Sequence, residues 1–134
     1  MRIPYKQLAV AVAMSGIAGL ALAQSQSVSF LEPADGATVT SPFKVKFAVK
    51  GMEVRPAGDM ASNTGHHHLL INADNVKAGD VVPTDDKHLH FGKGQTEAEV
   101  KLPPGNYTLT MQFANGAHQS YGAPLSKSIK VTVK

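Results

Sequence analysis

The chain has 134 residues and no cysteine, so disulfide bonds and cysteine nucleophiles are excluded from its fold and chemistry. Thirteen Lys and Arg residues against ten Asp and Glu residues give a net charge of +3 with histidine neutral. This weak positive charge, together with only 6% aromatic residues, does not indicate a nucleic-acid-binding surface.

The N-terminus has the three-part layout of a secretory signal peptide. A short basic leader is followed by an uncharged, mostly apolar stretch over residues 8–23 that ends in Ala-Leu-Ala. A membrane anchor is the alternative, but this stretch is shorter than the roughly 20 apolar residues that a spanning helix needs. We therefore predict a signal peptide over residues 1–23 and a single exported domain, periplasmic or secreted, over residues 24–134, with no membrane span after cleavage.

Apolar and polar residues alternate along most of the exported part. In Phe43–Lys50 every odd position is apolar and three of the four even positions are Lys, as in a strand with one buried face. The predicted strands cover residues 28–31, 43–50, 66–72, 88–92, 97–102, 107–113 and 129–134. Turn-forming Pro, Gly and Asn clusters separate them. This pattern predicts an all-β fold, an immunoglobulin-like antiparallel β-sandwich of about seven strands.

One turn carries a further immunoglobulin-like feature. The sequence Pro103-Pro104-Gly105-Asn106 leads directly into a predicted strand that begins at Tyr107. In immunoglobulin-like domains, a tyrosine near the start of such a strand closes the corner with a hydrogen bond to the backbone upstream. We expect Tyr107 to do the same.

The six histidines are clustered rather than scattered. His66, His67 and His68 are consecutive, His88 and His90 are separated by one residue, and His118 stands alone. On strands, Leu69 and Leu89 would face the core, which turns four histidines away from it: His66, His68, His88 and His90. If the two strands are neighbours, these four imidazoles share one patch and form a metal site.

The metal expected at such a patch is copper or zinc. Imidazole suits both ions; a planar set of nitrogen ligands favours Cu(II), and a tetrahedral set favours Zn. Met52 and Met60, in the loop before the histidine run, would be soft ligands for Cu(I) or simply loop anchors. The methionines make copper slightly more attractive than zinc.

Two other histidines have simpler interpretations. His67 points toward the core, where a hydrogen-bonded buried histidine is expected. His118 follows the Asn115-Gly116 turn, which predicts a surface residue. The alternative for the whole cluster is a hydrogen-bonded polar patch that orders the long loops over residues 51–65 and 73–87, in a non-catalytic interaction module of the cell envelope.

We do not expect an enzyme. No nucleophile elbow, phosphate-binding loop or His-Glu-x-x-His helix occurs in the sequence. Asp85 and Asp86 precede His88 closely, where a carboxylate either orients a metal-binding histidine or is simply a solvated loop charge.

Three blocks of the sequence resemble an uncharacterised family of exported bacterial β-rich domains, a domain of unknown function. They are GHHHLLI at Gly65–Ile71, HLHFGKGQTE at His88–Glu97, and LPPGNYTL at Leu102–Leu109. The resemblance implies an exported bacterial protein with a small β-rich domain, and it brings no activity or site residue with it. The function expected from the histidine pattern alone is that of an exported metal-binding protein, whose partners are a metal ion and, as a further candidate, another envelope protein.

Overall fold

The structure, a computed structural model, describes residues 25–134 and is an all-β sandwich. The predicted signal peptide over residues 1–23 lies outside the described residues. Nine strands occur in the described part: β1 Ser27–Glu32, β2 Ala37–Val39, β3 Phe43–Lys50, β4 Glu53–Val54, β5 Thr64–Ile71, β6 His88–His90, β7 Glu97–Val100, β8 Gly105–Ala114 and β9 Ser126–Val133. Between residues 25 and 134, no helix has the length and apolar character needed to cross a bilayer.

The smaller sheet has the strand order β1-β3-β7 and is antiparallel throughout. Phe43, Val45 and Phe47 are buried on one face of β3, as the alternation predicts. On the other face, Lys44 and Lys46 lie opposite Glu99 and Glu97 of β7. Opposite charges at facing positions favour this strand pairing, and Lys46 also forms an ion pair with Glu32 of β1 at 3.7 Å.

The larger sheet has the strand order β2-β9-β8-β5-β4, and β6 also pairs with β5. The seven predicted strands are all present, which confirms the sandwich. Two very short edge strands that lack any alternation, β2 and β4, were not predicted. Both pair in parallel with their neighbours, so the sandwich is antiparallel except at these edges.

The core lies between the sheets. The larger sheet contributes Leu69, Leu109, Met111 and Phe113, each with none of its surface exposed. At one corner the Tyr107 hydroxyl donates a hydrogen bond to the Pro103 carbonyl oxygen at 2.7 Å, which confirms the expected tyrosine corner.

The connection between β5 and β6 and the connection between β8 and β9 cover part of the outer face of the larger sheet. The fully buried Gln112 of β8 accepts a hydrogen bond from the Val76 backbone N–H and donates to the Gly122 carbonyl oxygen. The Ser120 hydroxyl donates to the Val76 carbonyl oxygen, which ties the two connections together. Because Gln112 lies directly opposite His68 on β5, this cover gives the sheet a second buried layer at the histidine run.

Candidate metal site

Strand β5 carries three consecutive histidines, and all three are buried. Successive side chains on a strand point to opposite faces, so His66 and His68 share the outer face while His67 points between the sheets. His66 and His68 are 0% and 1% exposed.

His67 belongs to the core rather than to the site. Its ring stacks on the ring of Phe47, with a centroid separation of 4.9 Å. It also packs edge-to-face against the ring of Phe113, with a centroid separation of 5.0 Å. Within residues 25–134, neither ring nitrogen of His67 has a hydrogen-bond partner. The expected core orientation is confirmed, but the expected hydrogen bond is wrong, because the surrounding groups are aromatic and apolar.

His90 of β6 lies directly opposite His68, so the predicted adjacency of the two His-x-His segments is confirmed. The Phe91 backbone N–H donates to the His67 carbonyl oxygen, and this register brings Gly92 level with His66. A Cβ atom at Gly92 would clash with the His90 ring. Glycine at this position therefore leaves the space that the His90 imidazole occupies over His66.

The structure does not bring His88 into the group. His88 shares the face of His90, as predicted, but it lies opposite Leu70, two residues beyond His68 on β5. Its Nδ1 is 2.7 Å from the Asp85 Oδ1 and is held there by a hydrogen bond. The prediction assumed that both histidines of β6 would reach the patch, and the strand register allows only one of them to do so.

His118 takes the fourth position, where the sequence predicted a surface residue. The Asn115 side chain shapes this turn: its Oδ1 accepts the backbone N–H groups of Ala117 and Gln119, and its Nδ2 donates to the Gln119 side chain. His118 itself has a left-handed backbone with φ of 64°, which turns the half-buried ring back over the sheet. The one available signal was an isolated histidine beside an Asn-Gly turn.

Four imidazoles thus converge on one point: His66, His68, His90 and His118. One nitrogen from each ring can be chosen so that all four lie within 4.8 Å of one another. His66 Nε2 and His118 Nδ1 lie 3.2 Å apart. Two nitrogens bound tetrahedrally to one zinc ion lie about 3.3 Å apart, so this pair already has the spacing of two ligands.

Burial and mutual repulsion favour the uncharged form of three of these imidazoles, those of His66, His68 and His90. Burial, followed by the nearby His118 and His90, lowers the pKa of His66 to about 4. The pKa of His68 falls to about 3, again mainly through burial. The pKa of the exposed His90 is also lowered, by partial desolvation and by His118. Neutral imidazole is the form that binds metal, so at neutral pH no proton has to be displaced from these rings.

The donor set is made of imidazole nitrogen alone. Met52 packs against the core and its sulfur contacts the Gln26 side-chain nitrogen at 3.1 Å, and Met60 is exposed. Neither belongs to the converging group. Within the described part of the chain, the buried Nδ1 atoms of His66 and His68 have no hydrogen-bond partner. Four imidazoles at this spacing, two of them with an unpaired buried nitrogen, can hold a borderline transition-metal ion.

The profile of a protein family, described as a domain of unknown function (DUF4399), matches residues 45–134. The chain belongs to this family. The match includes all of the histidines and confirms the resemblance noted from the sequence blocks.

Other comparisons add no function. A comparison with curated proteins finds no match. Among solved structures, the chain is similar to the endo-beta-1,4-mannanase from Thermotoga petrophila, with a TM-score of 0.49 and 15% identity. The similarity covers 81% of this chain and 20% of the mannanase chain, so it spans about a fifth of that protein.

Proposed function

We propose that this chain is an exported, non-catalytic protein that binds one transition-metal ion, copper or zinc, through His66, His68, His90 and His118. The observation that carries the proposal is the meeting of four imidazoles from three separate segments. Two come from β5, one from β6, and one from the turn after β8, 52 residues from His66. Such a group of imidazole donors has the chemistry of a metal site.

The scarcity of hydrogen bonds among the four rings supports a metal site over a hydrogen-bonded polar patch. Within residues 25–134, the four rings share a single hydrogen-bond contact, between His66 and His118. A patch that existed to order the loops would pair its buried nitrogens, because an unpaired buried polar atom costs roughly 1–3 kcal/mol. A metal ion that coordinates one nitrogen of each ring would offset the cost of bringing the four imidazoles together.

Export is supported by the layout of residues 1–23, which is typical of a secretory signal peptide. In an oxidising compartment, a site built from imidazole has an advantage over one built from cysteine, because imidazole nitrogen cannot form disulfides. The absence of cysteine from the whole chain agrees with this interpretation.

The test is a metal titration of protein purified without a polyhistidine tag. Zn(II) and Cu(II) should each bind with a stoichiometry of one and raise the unfolding free energy by about 2.7 kcal/mol when free metal is 100 times the dissociation constant. The variant with Ala at all four positions should show neither effect. His88→Ala is the matched control, since it removes a histidine of the same strand and should bind like the wild type. Equal binding by the wild type and the fourfold variant would refute the proposal.

A further inference from the structure

The positions of the four imidazole rings indicate which coordination geometry the site favours. The six centroid separations among the four rings are 4.7, 4.7, 4.9, 5.1, 5.3 and 5.8 Å. The longest is therefore only about 1.2 times the shortest. A square-planar site requires a ratio of at least about 1.4, because four points in one plane cannot be more evenly spaced than the corners of a square. The four ring centroids therefore do not lie in one plane, and their separations are close to those of a regular tetrahedron.

The size of this tetrahedron also fits coordination. With a metal–nitrogen distance of about 2.0–2.1 Å, four imidazoles around a tetrahedral zinc ion have centroids about 5.2 Å apart. The observed separations average about 5.1 Å. A planar copper site would instead have neighbouring centroids about 4.5 Å apart and opposite centroids about 6.4 Å apart.

The fold explains why the arrangement is three-dimensional. His66, His68 and His90 rise from two neighbouring strands of one sheet, and they form the base of the tetrahedron. His118 comes from the turn that covers the sheet, so its ring approaches from above that base. A ligand set that belonged to the sheet alone would be flatter.

Packing opposes conversion to a plane. The longest separation, 5.8 Å, joins His68 and His118, and these would form one diagonal of a square. His66 and His90 would then form the other diagonal, but they are 5.1 Å apart rather than about 6.4 Å. His66 is completely buried and cannot move outward by more than an ångström without disturbing close-packed neighbours.

We infer that this is a tetrahedral zinc site, which accepts Zn(II) in its preferred geometry and imposes a distorted geometry on Cu(II). Cu(I) also accepts a tetrahedron, but it is matched best by thiolate and thioether sulfur, and the converging group contains none. The inference rests on the proposed function and goes further, because it names the ion and coordination geometry that this chain selects.

The experiment uses Co(II) as a spectroscopic substitute for zinc. Untagged wild-type protein loaded with one equivalent of Co(II) should show the strong visible absorption of a tetrahedral complex, and one equivalent of Zn(II) should abolish it. His88→Ala should give the same spectrum, and a double His66→Ala, His68→Ala variant should lose it. Cu(II) added to the wild type should give an electron paramagnetic resonance spectrum with a parallel hyperfine splitting smaller than that of planar copper–imidazole complexes.

The possible failures are distinguishable. Faint absorption typical of six-coordinate Co(II), or a planar-type Cu(II) spectrum, would overturn the tetrahedral assignment while leaving metal binding intact. Absence of stoichiometric binding by every ion would overturn the proposed function together with this inference.

Discussion

The buried histidine that does not belong to the site makes the sharpest stability prediction. His67 lies between Phe47 and Phe113, and both of its ring nitrogens lack hydrogen-bond partners in the described structure. Burial, followed by the neighbouring His66, lowers the pKa of His67 from 6.5 to about 4. We expect His67→Phe to remove an acid-dependent loss of stability from the metal-free protein.

The sign follows from proton linkage. The pKa of His67 is lower in the folded state, so between pH 6.5 and pH 4 the unfolded state binds more protons. The stability contribution is fully present above pH 6.5 and is lost as the pH falls toward 4. At pH 5 the loss amounts to about 2 kcal/mol, since one pKa unit corresponds to about 1.4 kcal/mol. The unfolding free energy of His67→Phe, relative to the wild type, should therefore rise by about 2 kcal/mol between pH 7.5 and pH 5.

The assay is urea unfolding at both pH values in the presence of a chelator, which removes the contribution of metal binding. Phe is larger than His, so overpacking should lower the unfolding free energy by about 1–3 kcal/mol, equally at both pH values. His67→Leu provides a second apolar side chain with a different shape; the two variants should differ in offset but share the same dependence on pH. Parallel pH profiles for the wild type and both variants would show that His67 protonates freely in the folded protein, and the reasoning would be refuted.

The remaining predictions concern the site. His118→Ala should weaken Zn(II) binding more than about 100-fold, because loss of a residue that only hydrogen-bonds to a metal ligand already costs 10–100-fold. The control His88→Ala should change the affinity less than about 3-fold. Equal losses for the two variants in calorimetric titrations would contradict the ligand assignment. His90→Ala removes the exposed ligand, so millimolar imidazole in solution should restore much of the zinc affinity of this variant. No recovery would argue that the coordination position of His90 is not accessible from solvent. Gly92→Ala should displace the His90 ring and weaken zinc binding about 10-fold or more while the domain stays folded by circular dichroism; unchanged affinity would mean that this close approach does not position the ring.

Much of the candidate site was predictable from local pattern. Alternation along β5 and β6 correctly placed His66, His68 and His90 on one face, and it correctly placed His67 on the other. This works because side-chain direction on a strand has a period of two residues, whatever the rest of the fold does.

The choice of His118 over His88 was decided by the tertiary structure. Register is a property of two paired strands, and a shift by two residues puts His88 opposite Leu70 instead of His68. The position of His118 depends on a turn that folds back over the sheet from 52 residues away. Neither fact is present in the local sequence pattern.

The amino-acid sequence by itself determined the seven alternating strands, the turns between them and the face that each strand histidine occupies, because these follow from short-range geometry and the burial of apolar side chains. Only the folded chain decided which imidazoles meet, how deeply they are buried and that they surround a point instead of lying in a plane. The physical reason is that convergence requires strand register and loop cover, and both arise from contacts between residues far apart in the chain.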